Sequence, residues 1–464
     1  MADGHNFDEW LSGGCNPEVD MATIEVTEDG IARAFTRVHG NTLLFDHDAG
    51  HWFEWQGDVW KPETTGRAYH YCRELSRDAS AKLTQQAQEK VRRSAFAAGV
   101  EHMARNDPTH SAVQSDWDGD PFALGCPGAT VDLRTGLVKT ARPVDRITRQ
   151  TAVAPDLDGH CPLFLSFLHQ STGGDQGMIS FLQQWFGYCL TGSTKEHALI
   201  FFAGTGGNGK SVLLNTVAGI LGGYAVTASM DTFTASNSDR HPTDLAMLRG
   251  ARLVSASETE EGRAWAESRI KSMTGGDPIT ARFMRKDFFT YQPQFKLTIV
   301  GNHKPVLHNV DDAAKRRFNM VNFNLKPANP DRNLEEKLRA EWPGILRWMI
   351  NGCLDWQANG LIRPASIIAA TADYFSEQDF IGQWLEDECI VDVGNQSRWE
   401  TSAELFTSWR DYAKAAGEEP GTAKGLAGKL ARHGLIKSQK KFNGKNNKVW
   451  MGLNLKKRDQ SYDR

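Results

Sequence analysis

With 464 residues the chain is longer than one hydrophobic core can organise, and its length points to two to four domains, of which three are expected. Hydrophobic residues at 40% and charged residues at 24% match an average soluble globular protein, which excludes wholesale disorder and a fibrous repeat. The net charge of −4 is unevenly spread: between Thr422 and Arg464 twelve Lys and Arg face only Asp459 and Asp463, a net of +10 that leaves −14 on the rest. A basic end on an acidic chain is the footprint of a nucleic-acid surface, and also the composition of a solvated Lys-rich face.

The N-terminus "MADGHNFDEW" is acidic and has no apolar core, so it does not read as a secretory signal. The longest apolar run, "HALIFFAG" at 197–204, falls far short of the roughly 20 residues that span a bilayer. Seven cysteines (15, 72, 126, 161, 189, 353 and 389) are scattered without any CxxC, against both a disulfide framework and a zinc ribbon. A reducing cytoplasm, with no membrane partner, is the expected setting, and most of these thiols are expected in the core.

Residues 1–155 alternate short strands with helices. "NTLLFDHDAGHWFEWQGDVWKPE" (41–63) predicts a hairpin or meander, with Trp52, Phe53, Trp55 and Trp60 at strand alternation and so in the core rather than on a base-stacking platform. The 67–105 stretch reads as helical, and "ATVDLRTGLVKTA" (129–141) as strand, turn, strand. "DWDGDP" (116–121) has its Gly at the fourth position, not the sixth that a calcium loop needs, and is taken as a turn.

Residues 156–365 alternate helix and strand in the manner of a buried parallel sheet with functional groups at the carboxyl ends of its strands. After the strand "ALIFFA" comes "GTGGNGKS", in which Gly204, Gly206, Gly207, Asn208 and Gly209 let the backbone turn its N–H groups inward. Lys210 supplies charge for the β- and γ-phosphates of a nucleotide such as ATP, and Ser211 a hydroxyl for Mg2+. "ARLVSASE" (251–258) ends in Glu258, with Glu260 close behind; Glu258 is the stronger choice for holding the metal and activating water, although either could be a solvent-facing charge. Asn302 ends "FKLTIVGN" and could orient the attacking water, or serve a turn before His303 and Pro305. Arg316 and Arg317 precede the next strand, where they are either a surface pair or arginines offered to a neighbouring subunit's γ-phosphate. "ITARFMRKDFFTYQPQF" (279–295) alternates like a hairpin with Arg285 and Lys286 at its tip, either gripping a nucleic-acid backbone or simply solvated.

Residues 375–464 read as helix, helix and a basic hairpin around an Asn-Gly turn. Those are the parts of a winged helix, whose second helix meets a groove while Lys440, Lys441, Lys445 and Lys448 lie on phosphates; a small folded tail that binds protein is the other reading.

The succession "GTGGNGKS", "ARLVSASETEEG", "IKSMTGGDPITAR", "FKLTIVGNHKP" and "KRRFNMVNF" resembles the superfamily 3 helicases of phage and plasmid primase-helicases, relatives of the poxvirus primase-helicases. Upstream, "GIARAFTRVHGNTLLFDHDAGHWFEWQGDVW", "GATVDLRTGLV" and "FLQQWFGYCLTGSTKEHALIFFAG" are similar to the accessory domain that precedes the motor in that family. The resemblance covers about 25–350 well and the tail loosely. It implies an α/β fold with an AAA+-type P-loop ATPase core, an N-terminal α+β accessory domain and a C-terminal winged helix. It also implies Mg2+-dependent ATP hydrolysis, a ring that is usually hexameric, and 3′ to 5′ movement on single-stranded DNA. Carried over, Lys210 and Ser211 become the phosphate-loop pair, Glu258 and Glu260 the acidic pair and Asn302 the sensor. Arg317 becomes the arginine finger with Arg316 second, and Lys286 the DNA-contacting hairpin tip.

Only about 25 residues precede the accessory segment, so no primase-polymerase domain is expected in this chain, and a separate primase or polymerase becomes a partner. The acidic pair is Glu where several viral members have Asp, which leaves the division of labour between Glu258 and Glu260 open. The leading function is an ATP-dependent DNA helicase of phage or plasmid replication acting on single-stranded and forked DNA. An origin-binding initiator or loader with DNA-stimulated ATPase is the alternative. A small-molecule kinase ranks last, having no use for the basic tail, the hairpin or the arginines.

Overall fold

The computed structural model describes residues 24–235, 243–258, 263–307, 312–327, 329–416, 419–442 and 444–456. They divide into two compact units, Met1–Lys304 with Arg317–Ile367, and Pro305–Arg316 with Ile368–Arg464.

The first unit begins with α1 (Glu28–His39), started by Thr27, whose side chain accepts from the Gly30 amide at 3.0 Å, and by Glu28 and Asp29 in the first turn. Strands β1 (Leu43–Asp46), β2 (His51–Trp55) and β3 (Trp60–Pro62) form the expected meander. Helices α2 (Arg67–Ser80), α3 (Gln85–Val91) and α4 (Ser94–Arg105) follow, and β4 (Ser111–Ala112) adds to β1 in parallel. Trp52, Phe53 and Trp60 are buried and Trp55, also expected in the core, is half-buried. Trp52 and Phe53 are neighbours in β2 and pack into two different clusters, because both faces of the strand are covered, which alternation alone does not show. A second sheet, β5 (Ala123–Cys126), β6 (Ala129–Asp132) and β7 (Leu137–Thr140), is an antiparallel meander.

Helices α5 (Pro162–Thr172) and α6 (Gln176–Cys189) lead into the central sheet. Its strand β8 (Leu199–Ala203), entirely apolar and entirely buried, passes through a glycine-rich turn into α7 (Lys210–Leu221). Then come β9 (Ala225–Thr227), the short α8 (Thr243–Ala246), β10 (Leu253–Glu258) and α9 (Glu267–Gly275). The hairpin β11 (Ile279–Ala281) and β12 (Phe289–Tyr291) precedes β13 (Lys296–Gly301), and α10 (Asp312–Arg317) runs into β14 (Phe318–Asn322). The sheet is parallel with the order β14-β8-β13-β10-β9. Continuous apolar runs are what a sheet covered on both faces demands.

After α11 (Leu334–Arg339), α12 (Trp342–Asn359) packs closely against α6: side chains at Gly187 and Gly352 would strike the backbone of the opposite helix. Trp185 on α6 donates its indole N–H to Thr298 of β13 at 3.0 Å, pinning the helix pair to the sheet. Two buried cations at strand starts tie in the α6–β8 connection. Arg252 donates to the Leu190 and Ala123 carbonyls at 2.5 and 2.7 Å, and Lys296 to those of Thr191, Ser193 and Gln294. Without those carbonyls each buried charge would cost several kcal/mol or more.

The second unit takes α10 up to Arg316 together with most of α13 (Ala365–Gln378), and within it Tyr374 donates to the Pro305 carbonyl at 2.5 Å. Next are α14 (Phe380–Glu388), β15 (Cys389–Val391) and β16 (Trp399–Thr401). Helices α15 (Ser402–Ala415) and α16 (Ala423–Arg432) start at Thr401 and Thr422, whose side chains accept from the amides three residues on. Strands β17 (Ile436–Phe442) and β18 (Lys445–Met451) make the hairpin, in a sheet ordered β16-β18-β17, while β19 (Leu453–Leu455) pairs with β15. Trp384, Trp409, Leu430 and Trp450 form the core. The six cysteines among the described residues are all buried, and no described helix is long and apolar enough to cross a membrane.

Candidate functional site

Strand β8 lies between β14 and β13, and the chain leaves it in one direction to β9 at the far edge and returns to β14 on its other side. A crevice outside the carboxyl ends of the strands forms at such a reversal. The register fixes what gathers there: Ala203 lies opposite both Gly301 and Asn322, and Gly301 opposite Glu258. Gly204, Asn302 and Glu258 therefore emerge on one edge, with Glu258 two strands from β8, roughly 10 Å away.

The turn itself is built from left-handed glycines, with φ of 86°, 68° and 88° at Gly206, Gly207 and Gly209. At Gly209 a side chain is excluded twice, by that φ and by the Phe167 ring, which would lie 2.7 Å from a Cβ. At Gly204 a Cβ would run into the Phe323 carbonyl and Asn208. The first turn of α7 has no side-chain cap, so its amides are left to meet an anion.

Lys210 is buried at 3% exposure and its ammonium donates to the Gly204 carbonyl at 2.7 Å and to Asn208 Oδ1 at 3.0 Å. Burial pulls its pKa below the usual lysine value. Asn208 in turn donates to the Phe323 carbonyl at the end of β14, so one amide side chain ties the lysine, the turn and the neighbouring strand together. Ser211 is exposed beside it, and Asn302 is exposed just past β13. Glu260 lies outside the described residues.

Beside the turn lies a cavity of about 380 Å³, bounded by Gly207, Asn208 and Gly209 on one side and by Phe167, Leu325 and Leu334 on the others. Sequence reasoning missed it, because its walls come from α5 and from the segment after β14, more than a hundred residues apart.

Arg317 is not part of this edge. It precedes Phe318, which is level with Leu199 at the start of β8, so it sits at the amino ends of the strands, roughly 16 Å from the glycine turn along β8. Its guanidinium is half-buried near Gly275 and His197. Arg316 is exposed, and its Nε donates to the Asp312 carbonyl at 3.2 Å.

The hairpin β11–β12 exposes Arg285 and Lys286 at its tip, with Arg285 at φ 60°. Met284 at 69% and Phe288 at 60% exposure flank them, and the Arg282 guanidinium lies over the Phe288 ring at 4.6 Å. On the second unit, Lys441, Lys445 and Lys448 are exposed along β17–β18, while Lys440 is half-buried with its ammonium 4.8 Å from the centre of the Trp399 ring.

Two family models match: one described as "D5 N terminal like" over residues 32–173, and a "Family of unknown function (DUF5906)" over 202–317. Among curated proteins the chain is 25% identical over 327 residues to "Putative helicase L207/L206" of Acanthamoeba polyphaga mimivirus, covering 64% of this chain and 33% of that protein. It is 26% identical over 285 residues to "Putative helicase 022R" of Frog virus 3 (isolate Goorha), covering 56% and 29%. The chain thus spans about a third or less of the length of these relatives. A solved structure, "The A form apo structure of NrS-1 C terminal region-CTR", shares the fold at a TM-score of 0.52 and 11% identity, over 92% of this chain and 100% of that one.

Proposed function

We propose that the chain is a D5-like primase-helicase, in keeping with its match to "D5 N terminal like" and to viral proteins named putative helicases, and that it is an ATP-dependent DNA helicase of a phage or plasmid replication system. In this reading it forms a ring, usually of six, that moves 3′ to 5′ on single-stranded DNA. The observation that carries the reading is the alignment of Gly204, Lys210, Asn302 and Glu258 along the carboxyl edge of a parallel sheet at its point of reversal. That arrangement supports an AAA+-type core, and the order β16-β18-β17 with two helices between β16 and β17 supports a winged helix in the second unit.

The residues fit a nucleotide triphosphate. Left-handed glycines and an uncapped helix start form a cradle that side chains would fill, and a buried lysine reaches into it. Mg2+, when bound, would neutralise charge on the phosphates, with Ser211 and Glu258 as the protein groups to hold it. Lys210 would exchange its carbonyl and amide partners for phosphate oxygens, a gain its depressed pKa favours because an anion restores the lost solvation. Asn302 would orient water, and Glu258 or Glu260 would accept its proton. The position of Arg317 at the opposite edge supports its use on a neighbouring subunit's nucleotide rather than its own. The basic, partly apolar hairpin and the Lys-rich β17–β18 would then hold DNA.

The test is ATP turnover with and without single-stranded DNA, beside strand separation on a 3′-tailed fork and a Lys210→Ala control. DNA-stimulated turnover with separation, abolished by Lys210→Ala, is expected. Turnover without separation would favour an origin-binding initiator or loader.

A further inference from the structure

In the first unit, away from the glycine turn in sequence, α2 and the α3–α4 corner enclose a cavity of about 190 Å³. Its floor is Val91 and Ala97, and four arginines stand around it: Arg73 and Arg77 one turn apart on α2, and Arg92 and Arg93 at the corner. No carboxylate lines it. Arg77 pairs with Glu74 at 2.8 Å, but among the described residues no carboxylate pairs with Arg73, Arg92 or Arg93.

This grouping works against the stability of the bare chain. Like charges at i, i+4 repel on a helix. Arg93 also stands at the start of α4, the positive end of its dipole, and occupies the capping position without an acceptor to offer, whereas Arg92 ends α3, whose negative end favours it. The guanidinium groups are matched to a phosphate, whose oxygens accept paired N–H groups from more than one of them. Tyr69, half-buried between the two groups with its hydroxyl 3.4 Å from the Ser94 carbonyl, adds an aromatic face among the cations, the combination that holds single strands.

We propose that this arginine cavity is a second nucleic-acid contact, taking a backbone phosphate of single-stranded DNA. It rests on the reading of the chain as a DNA-acting protein, and assigns to the region that matches "D5 N terminal like" a part in holding the strand.

The experiment measures binding of a labelled oligo(dT) to the full chain without nucleotide, across a salt series, for the wild type, Arg73→Gln/Arg92→Gln and Arg73→Lys/Arg92→Lys. The Gln variant should bind several-fold more weakly at low salt, and its salt slope should be shallower by about 0.7, the loss of one neutralised phosphate on a single strand. The Lys variant, which keeps the charge, should retain the slope. Because all four arginines are exposed, neither variant should lower the thermal melt, and the Gln variant, relieved of the Arg73–Arg77 repulsion, should melt at or slightly above the wild-type temperature. A Gln variant with wild-type affinity and slope would overturn the assignment. So would pyrophosphate binding that the Gln variant loses while its DNA slope is unchanged, which would mark a site for a free phosphate compound. If the wild type fails to bind oligo(dT) at all, the DNA reading falls as a whole.

Discussion

Gly209 is held by two independent constraints, a left-handed backbone and the Phe167 ring beside its Cα. Gly209→Ala should therefore reshape the turn at a cost of about 1–2 kcal/mol from the backbone alone. Affinity for a fluorescent ATP analogue is expected to fall at least tenfold while the far-ultraviolet spectrum stays that of the wild type. The need for glycine was legible from the spacing, but the reason at this position was not, since Phe167 lies on another helix. His39 supplies a prediction on pH. Burial first, and the nearby His110 second, pull its pKa down to about 4, and its ring stacks on Tyr71 at 4.6 Å. The unfolded chain takes up this proton near pH 6.5 while the folded one resists it, so the contribution is fully present above pH 6.5 and is lost as pH falls towards 4. The melting temperature should drop over that window, and His39→Phe, which keeps the stacking and removes the proton, should flatten the drop. An equal drop in the variant would show that other groups govern the acid limit.

At the scale of elements, the alternation in 279–295 was sufficient to read a hairpin, because a period of two belongs to strands alone. The pairing of Ile279 with Tyr291 and Ala281 with Phe289 agrees with it. What alternation could not show is that Met284 and Phe288 stand exposed beside Arg285 and Lys286, because exposure depends on what fails to cover them. Lys286→Ala should leave basal ATP turnover within about twofold and abolish strand separation on the tailed fork, and normal separation would refute the hairpin's role on DNA. The buried cations Arg252 and Lys296 illustrate the opposite limit. Each reads in sequence as an ordinary polar strand start, yet each serves backbone carbonyls that are mostly 60 or more residues away.

At the scale of the whole molecule, the distance between Arg317 and the glycine turn makes a prediction about assembly. If the site is completed across subunits, Lys210→Ala and Arg317→Ala chains should each be inactive alone, yet regain turnover when mixed. An Arg317→Ala subunit still offers its lysine, and a Lys210→Ala neighbour still offers its arginine, so about a quarter of the junctions in a random mixture are whole. Activity that stays at background in the mixture, or an Arg317→Ala chain with normal turnover, would remove Arg317 from the reaction.

By itself the sequence determined the local chemistry: the glycine turn with its lysine, the strands that lead to Glu258 and Asn302, the basic hairpins, and the resemblance of these motifs to primase-helicases. Periodicity and spacing are short-range properties, and these features are written within a few residues each. Only the tertiary structure decided that Glu258, Gly301 and Ala203 share a register, that Arg317 lies at the other end of the sheet, and that Phe167 and Leu334 wall a cavity beside the turn. It alone brought four arginines from three helical segments around one hollow. Those outcomes depend on which strand pairs with which and which helix covers which face, choices made by burial over the whole chain.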